Sequence, residues 1–480
     1  MAEIVSSWWD SKPGRWLNSI ALIAAVLVLL RVAMEEDLAW IGGVIIVAIL
    51  ALVSAFRWPT GAILVLIAMS AMPVYFIELF GWKARPEHFA AGIVLAAALI
   101  AFFMLKQRPA VDKLDYWILA YVAVNFISSA FGSPQPSTTL RWALQNSLAV
   151  LPYFLIRFMV QDVEMCRKTF RILLGVGLVE AVYGIGCYAS HQLFDTSVGV
   201  TVGQYLVDIA APYGSMYEAN LFGSYTACCA VMCLAGYLFG GRHLRYLICF
   251  FIASLAGVLS FSRAALAALI IIIGWVLWKA RRANRFDLQK LVVFALVLAL
   301  IVTFTINVAG DVIVKRFTNL WYEGLTEETA MVRLLVYQEA LTDIPGHWLI
   351  GNGTASFNLT FDWNTYFPEW SGEKTWIGNT PLRVLHDTGL IGLITLLGFC
   401  VAVWWKVRKV SNCHGISDPM LLGLVAGVLL YGISFESTDG TILAYFWLHL
   451  GLLASAAILL TPPGQTNGVQ DAELVSARTD

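Results

Sequence analysis

The sequence has little charge and lacks the features of a nucleotide or nucleic-acid site. Asp, Glu, Lys and Arg make up only 13% of its 480 residues, whereas soluble domains carry roughly 25%. The formal net charge is −1, so no basic excess is present to attract nucleic acid. No Gly-rich phosphate loop occurs. The composition therefore argues against an ordinary soluble domain and against a nucleic-acid partner.

Cysteine and metal motifs are equally scarce. Six of the eight cysteines lie in predicted hydrophobic helices and two, Cys166 and Cys413, in predicted cytoplasmic loops, so no disulfide framework is expected. No Asp-x-Asp pair of the metal-dependent sugar-nucleotide enzymes occurs in a predicted outer segment, and the acidic cluster 35–37 is interpreted as a solvated loop. The sequence thus gives no indication of a metal or of another cofactor. The first apolar run has no small-residue cleavage site after it, which predicts an uncleaved helix.

Long hydrophobic runs are what the sequence has in abundance. Hydrophobic residues make up 59% of the chain and the mean hydropathy is +0.74. A membrane-spanning helix needs about 20 apolar residues. Such runs are centred on residues 17–34, 38–56, 60–80, 88–105, 114–131, 141–158, 169–190, 217–239, 244–260, 262–278, 290–308, 379–405, 417–435 and 441–460. The sequence thus predicts an all-α polytopic membrane protein with about 14 transmembrane helices, and at least about 12.

The distribution of Lys and Arg predicts the orientation of these helices. If the N-terminus is cytoplasmic and the helices alternate, 21 of the 31 basic residues lie on the cytoplasmic side, as the positive-inside rule requires. The basic connector KARRANRFDLQK, at 279–290, favours this arrangement most strongly. It places the long polar segment 309–378 on the outer side, and both termini in the cytoplasm.

The outer segment 309–378 is predicted to contain an amphipathic helix. Thr326 is a candidate N-cap, acidic residues follow it, and Pro345 with Gly346 is expected to end the helix. One face of this helix carries Met331, Leu334, Leu335, Gln338 and Leu341, and another carries Arg333 and Tyr337. We expect the helix to lie on the outer surface of the bundle.

An aromatic stretch, FDWNTYFPEWSGEKTWIGN, follows at 361–379. One interpretation is a belt of Trp and Tyr at the depth of the lipid headgroups. The other is a platform on which sugar rings stack, with Trp370 and Trp376 as candidate binding residues. Both interpretations remain open, and different residues of the stretch can serve each.

Two arginines on the predicted outer side are candidates for anion binding. Arg263 stands at the outer end of a hydrophobic run without a basic neighbour, where a charge is costly and suggests a site. Its alternative role is contact with a lipid phosphate. Arg333, on the outer helix, is alternatively a solvated charge paired with Glu328 or Glu339. Two guanidinium groups on one face would suit a diphosphate, whose oxygens they bind in bidentate fashion.

Four segments in order resemble the O-antigen ligase and Wzy-type polysaccharide polymerase superfamily, which also contains bacterial protein O-oligosaccharyltransferases. They are YGSMYEANLFGSY (213–225), FSRAALAAL (261–269), MVRLLVYQEALTDIPGHWLIGNGTASF (331–357) and GNTPLRVLHDTGLIGLI (378–394). The resemblance covers about two fifths of the chain, residues 213–396. Each segment is weak alone, whereas their order, spacing and common topology are more specific.

The resemblance implies a GT-C-type membrane glycosyltransferase of the bacterial inner membrane. Its donor would be an undecaprenyl-diphosphate-linked glycan, used on the periplasmic face without a metal. Arg263 and Arg333 match the arginines that hold the diphosphate leaving group. The substrate-binding candidates are Glu218, Asn220, Tyr337, Trp370, Trp376 and Asn379. Implied partners are a glycan acceptor and membrane lipid, together with flippase and chain-length regulator proteins.

One departure from the family pattern concerns the catalytic base. Ligases carry a His directly before the motif Asn, where this chain has Gly378 before Asn379. His386 lies two helical turns further on and is a candidate base, with Asp387 as a residue that could orient it. The alternative is a buried His386 bonded to a neighbouring helix. Four carboxylates are further candidate bases: Glu218, Asp362, Glu369 and Glu373.

The missing motif His, the helix count and a short last loop favour a polymerase of exopolysaccharide, capsule or O-antigen repeats. The alternatives are transfer of a finished glycan to lipid A core or to protein. A proton-coupled lipid or solute transporter is a different class, suggested by intramembrane Glu180, His386, Asp387 and His449. The expected domains are transmembrane helices at 1–212, a ligase- or polymerase-like core at 213–405, further transmembrane helices at 406–460 and a disordered cytoplasmic tail at 461–480.

Overall fold

The structure is a computed structural model that describes residues 58–79, 82–104, 111–201, 210–241, 243–285, 288–323, 328–363, 366, 375–414 and 418–461. The predicted runs at 17–34 and 38–56 and residues 462–480 of the predicted tail lie outside the described residues. Every other predicted hydrophobic run overlaps a helix, although the helix in the run at 60–80 ends at Ser70 and is followed by a strand at Ile77–Leu79. The chain is accordingly an all-α membrane protein, while the number of its membrane crossings stays a prediction.

The helices follow one another along the chain with two short hairpins between them. The helices are α1 (Pro59–Ser70), α2 (Pro86–Met104), α3 (Lys113–Phe131), α4 (Pro136–Met159), α5 (Val163–Phe194), α6 (Ala219–Phe239), α7 (Leu244–Leu259), α8 (Arg263–Arg282), α9 (Leu288–Glu323), α10 (Glu328–His347), α11 (Phe357–Thr360), α12 (Thr380–His414), α13 (Pro419–Ser434) and α14 (Ala444–Leu459). The hairpins pair β1 (Ile77–Leu79) with β2 (Trp82–Ala84), and β3 (Val200–Thr201) with β4 (Ala211–Pro212), both antiparallel.

Six of the described helices are long and apolar enough to cross a membrane. They are α3, α5, α6, α8, the first part of α9 up to Val308, and α12 up to Ser411. Five shorter apolar helices accompany them: α1, α2 up to Ile100, α7, α13 and α14. Helix α6 lies at the centre, because its whole apolar window is buried and it packs on α5, α7, α8 and α13.

The helices alternate in direction, so their ends form two opposite faces. One face, here the polar end, gathers the starts of α2, α4, α6, α8, α12 and α14 and the ends of α1, α3, α5, α7 and α13. Contacts between distant segments fix this arrangement: Thr438 donates to Glu218, Asn379 to Glu436, and Arg85 to the carbonyl of Ile442. The other face, here the basic end, carries the connector 279–285.

Aspartates start three helices at the basic end. Asp112 caps α3, Asp162 caps α5 and Asp418 caps α13, each accepting a backbone N–H of the first turn. A carboxylate is favourable there because the N-terminal end of a helix is electropositive. Two of these caps also bind basic side chains of other segments: Lys406 lies 2.8 Å from Asp112, and Arg167 lies 3.3 Å from Asp418.

The first residues of the outer segment 309–378 are helical, which the sequence did not predict. Helix α9 continues to Glu323, about 15 residues or roughly 22 Å beyond the apolar stretch that ends at Val308, at 1.5 Å per residue. Helix α10 confirms the helix predicted after it, although Pro345 lies inside that helix and the last helical residue is His347. The proposed cap Thr326 lies outside the described residues.

The predicted apolar face of α10 was wrong in part, since Leu335 packs against the buried cluster of this segment but other members of the face do not. Met331 and Leu341 are 43% and 56% exposed, whereas Val336 and Ala340 are buried against Phe357, Trp363 and Ile377. Periodicity allowed several stripes on this helix, and the smaller side chains of Val336 and Ala340 let it approach the segment that follows. Tyr337 neighbours this buried stripe and is brought toward the start of α12.

A loop after α10 is inserted at a break in α12. Gly389 has φ 64° and ψ −170°, which interrupts the helix in a conformation that favours glycine. The backbone N–H groups of Leu390 and Ile391 donate to Trp348 and Leu349 at 2.8 and 3.2 Å. A Cβ at Gly389 would lie 2.4 Å from the Leu349 backbone, so only glycine permits this approach. The break therefore anchors the outer segment to the bundle.

Candidate functional site

Polar side chains from four segments meet at the polar end of the bundle. We call them the outer polar cluster: Glu218 before α6, Arg333 and Tyr337 on α10, Asn379 before α12, and Glu436 and Thr438 in the turn after α13. The sequence predicted the first four, and the structure brings them together. The turn between α13 and α14 was missed, although it contacts both Glu218 and Asn379.

Tyr337 and Asn379 hold the cluster together through backbone groups. The Tyr337 hydroxyl donates to the carbonyl of Gly378 at 3.0 Å and faces that of Glu436 at 3.4 Å. The side-chain amide of Asn379 donates to the backbone carbonyl and to the carboxylate of Glu436 at 3.0 and 2.9 Å. Its side-chain oxygen accepts the backbone N–H of Leu382 at 2.8 Å. Burial raises the pKa of Tyr337, so its hydroxyl stays a neutral donor. Both residues therefore act as positioning groups.

Glu218 precedes the first turn of α6 but does not cap it. Its carboxylate instead accepts the Thr438 hydroxyl from the turn after α13. The side chain is partly buried, and loss of solvent raises the pKa of this carboxyl while the positive charge of Arg333 lowers it. Glu218 is thus a shielded carboxylate on which the charge of Arg333 acts.

Arg333 is the cation of the cluster. It is half-buried on α10, and its charge acts on both Glu218 and Tyr337. The predicted alternative, a salt bridge with Glu339, does not form: Glu339 instead accepts the hydroxyl of Tyr366. Among the described residues no carboxylate forms an ion pair with Arg333. The side chain of Glu328, the other proposed partner, lies outside the described residues.

Arg263 begins α8 at the same end. Ser262 caps this helix by accepting the N–H of Ala265 at 3.3 Å, and Phe261 before it has a left-handed φ of 54°. A Cβ added at Gly223 of α6 would meet Ser260 at 2.3 Å and Ala265 at 3.2 Å. The turn carrying Arg263 is therefore pressed against α6, one turn along from Asn220. A strained backbone at such a place is typical of functional sites.

Arg383, which the sequence analysis missed, lies below the cluster on α12. It forms an ion pair with Asp439 at 2.8 Å, and its side chain is only 4% exposed. Asp439 also accepts the N–H of Thr441 at 3.0 Å and the hydroxyl of Thr380 at 3.2 Å. This buried network fixes the turn between α13 and α14, and thereby the position of Thr438.

Arg85 is a second missed arginine, directly before α2. It is 2% exposed, pairs with Glu87 at 2.7 Å and donates to the Ile442 carbonyl at 2.9 Å. Its charge also acts on Tyr217, the neighbour of Glu218. The rule that singled out Arg263, a cation at the disfavoured end of a helix, applies equally to Arg85 and Arg383 and could have found both.

His386 is buried and faces two carboxylates. Its Nδ1 lies 3.0 Å from Asp387, its Nε2 lies 3.6 Å from Asp343, and its ring packs edge-on against Phe357. Asp387 also accepts the N–H of Ala355 at 2.9 Å, and the His386 carbonyl accepts the N–H of Asn352. The predicted orienting role of Asp387 is thus matched by a contact, and His386 joins α12 to the loop after α10.

The remaining site candidates are distributed less compactly. Trp376 is 37% exposed and packs edge-on against Trp142 of α4, with ring centroids 5.3 Å apart. The Asn220 side chain makes no hydrogen bond to another described residue. Trp370, Glu369 and Glu373 lie outside the described residues. Asp362 is exposed.

The intramembrane groups that suggested a transporter have local partners. Glu180 accepts the N–H and hydroxyl of Ser215 at 2.8 and 2.7 Å. His449 lies 3.1 Å from the Leu424 carbonyl and 3.5 Å from Cys228. Each residue ties one helix to a neighbouring segment, as expected for structural polar groups.

One comparison with known proteins found a family that matches part of the chain. Residues 248–397 match the family described as O-antigen ligase, which confirms the resemblance found in the sequence. The matched stretch contains Arg263, Arg333, Asn379 and His386, whereas Glu218 and the turn at 436–439 lie outside it. No curated protein matches the chain.

Proposed function

We propose, from the O-antigen ligase domain that residues 248–397 carry, that the protein polymerises undecaprenyl-diphosphate-linked oligosaccharide repeats. The family supports a membrane glycosyltransferase of the ligase or polymerase type acting on lipid-linked glycan. The observation that carries the proposal is Arg333, which stands in the outer polar cluster without a carboxylate ion pair among the described residues. Such a cation is suited to an anionic substrate.

In the proposed reaction the diphosphate of the donor is the leaving group. The fork of Arg333 binds its oxygens, and Arg263 provides the second positive charge from the start of α8. The acceptor hydroxyl attacks the anomeric carbon from the face opposite the diphosphate, so the configuration inverts. The carbon–oxygen bond to the diphosphate breaks as the new glycosidic bond forms, and undecaprenyl diphosphate leaves with the electron pair.

The enzyme is proposed to act on the periplasmic side of the bacterial inner membrane. The basic end of the bundle carries Lys279, Arg281, Arg282 and Arg285, which favours the cytoplasm. The polar end, with Arg333 and Glu218, then faces the periplasm. Flippase and chain-length regulator proteins are the partners that such a polymerase would require.

A polymerase is favoured over a ligase by the residue before the motif Asn. Gly378 stands there, and its carbonyl is occupied by the Tyr337 hydroxyl. Transfer of the glycan to lipid A core or to protein remains the alternative activity, because the family match covers these chemistries as well.

The test compares undecaprenyl-linked glycans in cells with and without the protein. We expect single repeats to accumulate on the lipid when the gene is deleted, and long chains to return when it is restored. Long chains stranded on the lipid would instead identify a ligase or oligosaccharyltransferase. An unchanged lipid-linked pool would overturn the glycosyltransferase proposal and favour transport. Restoration with Arg333→Ala is the matched control, and its protein level in the membrane is measured alongside.

A further inference from the structure

We propose that Glu218 is the general base that takes the proton from the acceptor hydroxyl. This inference rests on the proposed function and adds a catalytic residue to it. Glu218 lies outside the matched stretch 248–397, so the family match does not assign it a role. The observations that support it concern its place in the outer polar cluster and the engagement of the other candidate bases.

The position where ligases carry a His has no proton acceptor here apart from the backbone. Gly378 has no side chain, and its carbonyl accepts the Tyr337 hydroxyl at 3.0 Å. A base must reach the acceptor hydroxyl directly or through one water. It must therefore come from another side chain near Arg333, where the diphosphate is proposed to bind.

His386 is engaged in a different contact. Its two ring nitrogens face Asp387 at 3.0 Å and Asp343 at 3.6 Å, and the residue is 1% exposed. A ring enclosed between these two carboxylates is not accessible to an acceptor hydroxyl at the outer polar cluster. The geometry therefore gives His386 the role of joining α12 to α10 and the loop that follows it.

Among the described residues, the other carboxylates near the cluster are less suited to this role. Asp439 is paired with Arg383 at 2.8 Å. Glu436 accepts the Asn379 amide at 2.9 Å and is exposed to solvent, whereas Glu218 is partly buried. Glu218 accepts one hydroxyl, from Thr438, and forms no ion pair with a described cation. A carboxylate has about four acceptor sites, so Glu218 retains acceptor capacity for a substrate hydroxyl.

The surroundings of Glu218 suit a base. Partial burial makes its conjugate acid weaker than an ordinary carboxylic acid, while Arg333 keeps the ionised form accessible. Because Arg333 is also the proposed diphosphate ligand, its effect on Glu218 indicates that the carboxylate lies within electrostatic range of the proposed diphosphate site. The Thr438 hydroxyl donates to this carboxylate. Thr438 directly precedes Asp439, whose ion pair with Arg383 fixes the turn.

The step is balanced without a further reactant. As the acceptor oxygen forms its bond to the anomeric carbon, its proton passes to a carboxylate oxygen of Glu218. The bond from that carbon to the diphosphate oxygen breaks, and its electron pair leaves with undecaprenyl diphosphate. Glu218 then releases the proton to water.

The experiment measures single-turnover transfer by the full-length purified protein with a lipid-diphosphate-linked repeat as donor and acceptor. We expect Glu218→Gln to lower the rate about 10²–10⁴-fold, the usual contribution of a general base, with donor binding retained. Glu218→Asp should keep more activity than Glu218→Gln. In Glu218→Ala, added formate should restore part of the rate, which a merely structural residue would not permit.

The pH dependence gives a second readout. The base works only when ionised, so the rate of the unaltered protein should rise with pH through the raised pKa of Glu218 and then level off. This limb should be absent from the residual activity of Glu218→Gln. Glu164→Gln, an exposed glutamate paired with Lys168 at the basic end, is the matched control and should retain the limb and the full rate.

The outcomes separate this inference from the proposed function. Near-normal transfer by Glu218→Gln, with Arg333→Ala inactive, would overturn the role of Glu218 and leave the glycosyltransferase intact. Loss of donor binding in Glu218→Gln, or a formate effect absent from Glu218→Ala, would also overturn it. If the unaltered protein transfers no glycan, the proposed function itself fails.

Discussion

The exposed arginines at the basic end of the helix bundle differ from the arginines at the polar end. At the basic end, Arg408 and Arg282 are exposed and lie over the rings of Trp405 and Trp278. At the polar end, Arg383 and Arg85 are buried in ion pairs, and the charge of Arg333 acts on the partly buried Glu218. The basic end also holds one buried pair, Arg157 with Asp115 at 3.1 Å, so the contrast concerns its exposed arginines and not every cation there.

The difference has an energetic basis. An exposed ion pair contributes about 0–1 kcal/mol, since both charges remain hydrated without it. Removing one partner of a buried pair leaves the other charge unsolvated and costs about 3–5 kcal/mol. Substitution of Arg383, Arg85 or Arg333 should therefore affect either folding or catalysis. Substitution of an exposed arginine at the basic end, such as Arg408, should affect neither.

The largest effect is expected at Arg383. Replacing Arg383 by Ala should destabilise the protein by about 3–5 kcal/mol, because Asp439 would remain buried without its cation. Thermal and denaturant unfolding of the purified protein in detergent measures this loss. Asp439→Ala in the same chain should recover part of it, since the unpaired charge is then removed. Equal stability of Arg383→Ala and the unaltered protein would contradict a buried pair.

Arg333 should show a catalytic effect of similar size without the loss of stability. Arg333→Ala should lower transfer about 10²–10³-fold, as expected when one preorganised charge is removed from a developing anion. Arg333→Lys should restore only part of the rate, because an ammonium cannot bind phosphate oxygens in bidentate fashion. Transfer is measured in membranes that contain equal amounts of each variant. Normal polymer from Arg333→Ala would exclude the clamp.

Arg263 should have the next largest effect. We expect Arg263→Ala to reduce polymer about 10²-fold by removing the second charge on the leaving group. Protein level and thermal stability should change little, since Ser262 and not Arg263 caps α8. The alternative role, contact with a lipid phosphate, predicts near-normal polymer, so the glycan profile of this variant distinguishes the two.

The smallest effect is expected at the basic end. Arg408→Gln should change stability by less than about 0.5 kcal/mol, because the side chain is exposed and loses only a contact over Trp405. Its polymer should have normal amount and length. A loss comparable to that of Arg333→Ala would show that the two ends are not functionally distinct.

Sequence reasoning found the parts of the site that lie in recognisable motifs. Arg333, Tyr337, Asn379 and Glu218 were all singled out, and the structure places them in one cluster. Sequence reasoning did not find Thr438 or Asp439, because the segment at 436–441 is a short polar turn with no periodicity. The face of α10 was assigned wrongly because several apolar stripes fit its sequence, and only packing against Phe357 and Ile377 selects one.

The role of a residue was harder to predict than its location. The residue type and spacing of His386 suggested a catalytic base. Its contacts with Asp343 and Asp387 instead indicate that it joins α12 to α10. Gly351 and Gly389 lie in the motif segments 331–357 and 378–394, and sequence reasoning supplied no reason for glycine at these two positions. The structure supplies one, since a Cβ on either would collide with the backbone of the other segment at about 2.5 Å.

The sequence by itself determined the helices and the contrast between the two ends, because apolar run length and the placement of Lys and Arg are local properties of the chain. Only the tertiary structure decided which charges are paired. Arg383 meets Asp439, and Glu218 meets Thr438, 220 residues away. Such partners are chosen by the packing of distant helices. That packing separates Arg383, which has a buried carboxylate partner, from Arg333, which has no carboxylate ion pair among the described residues.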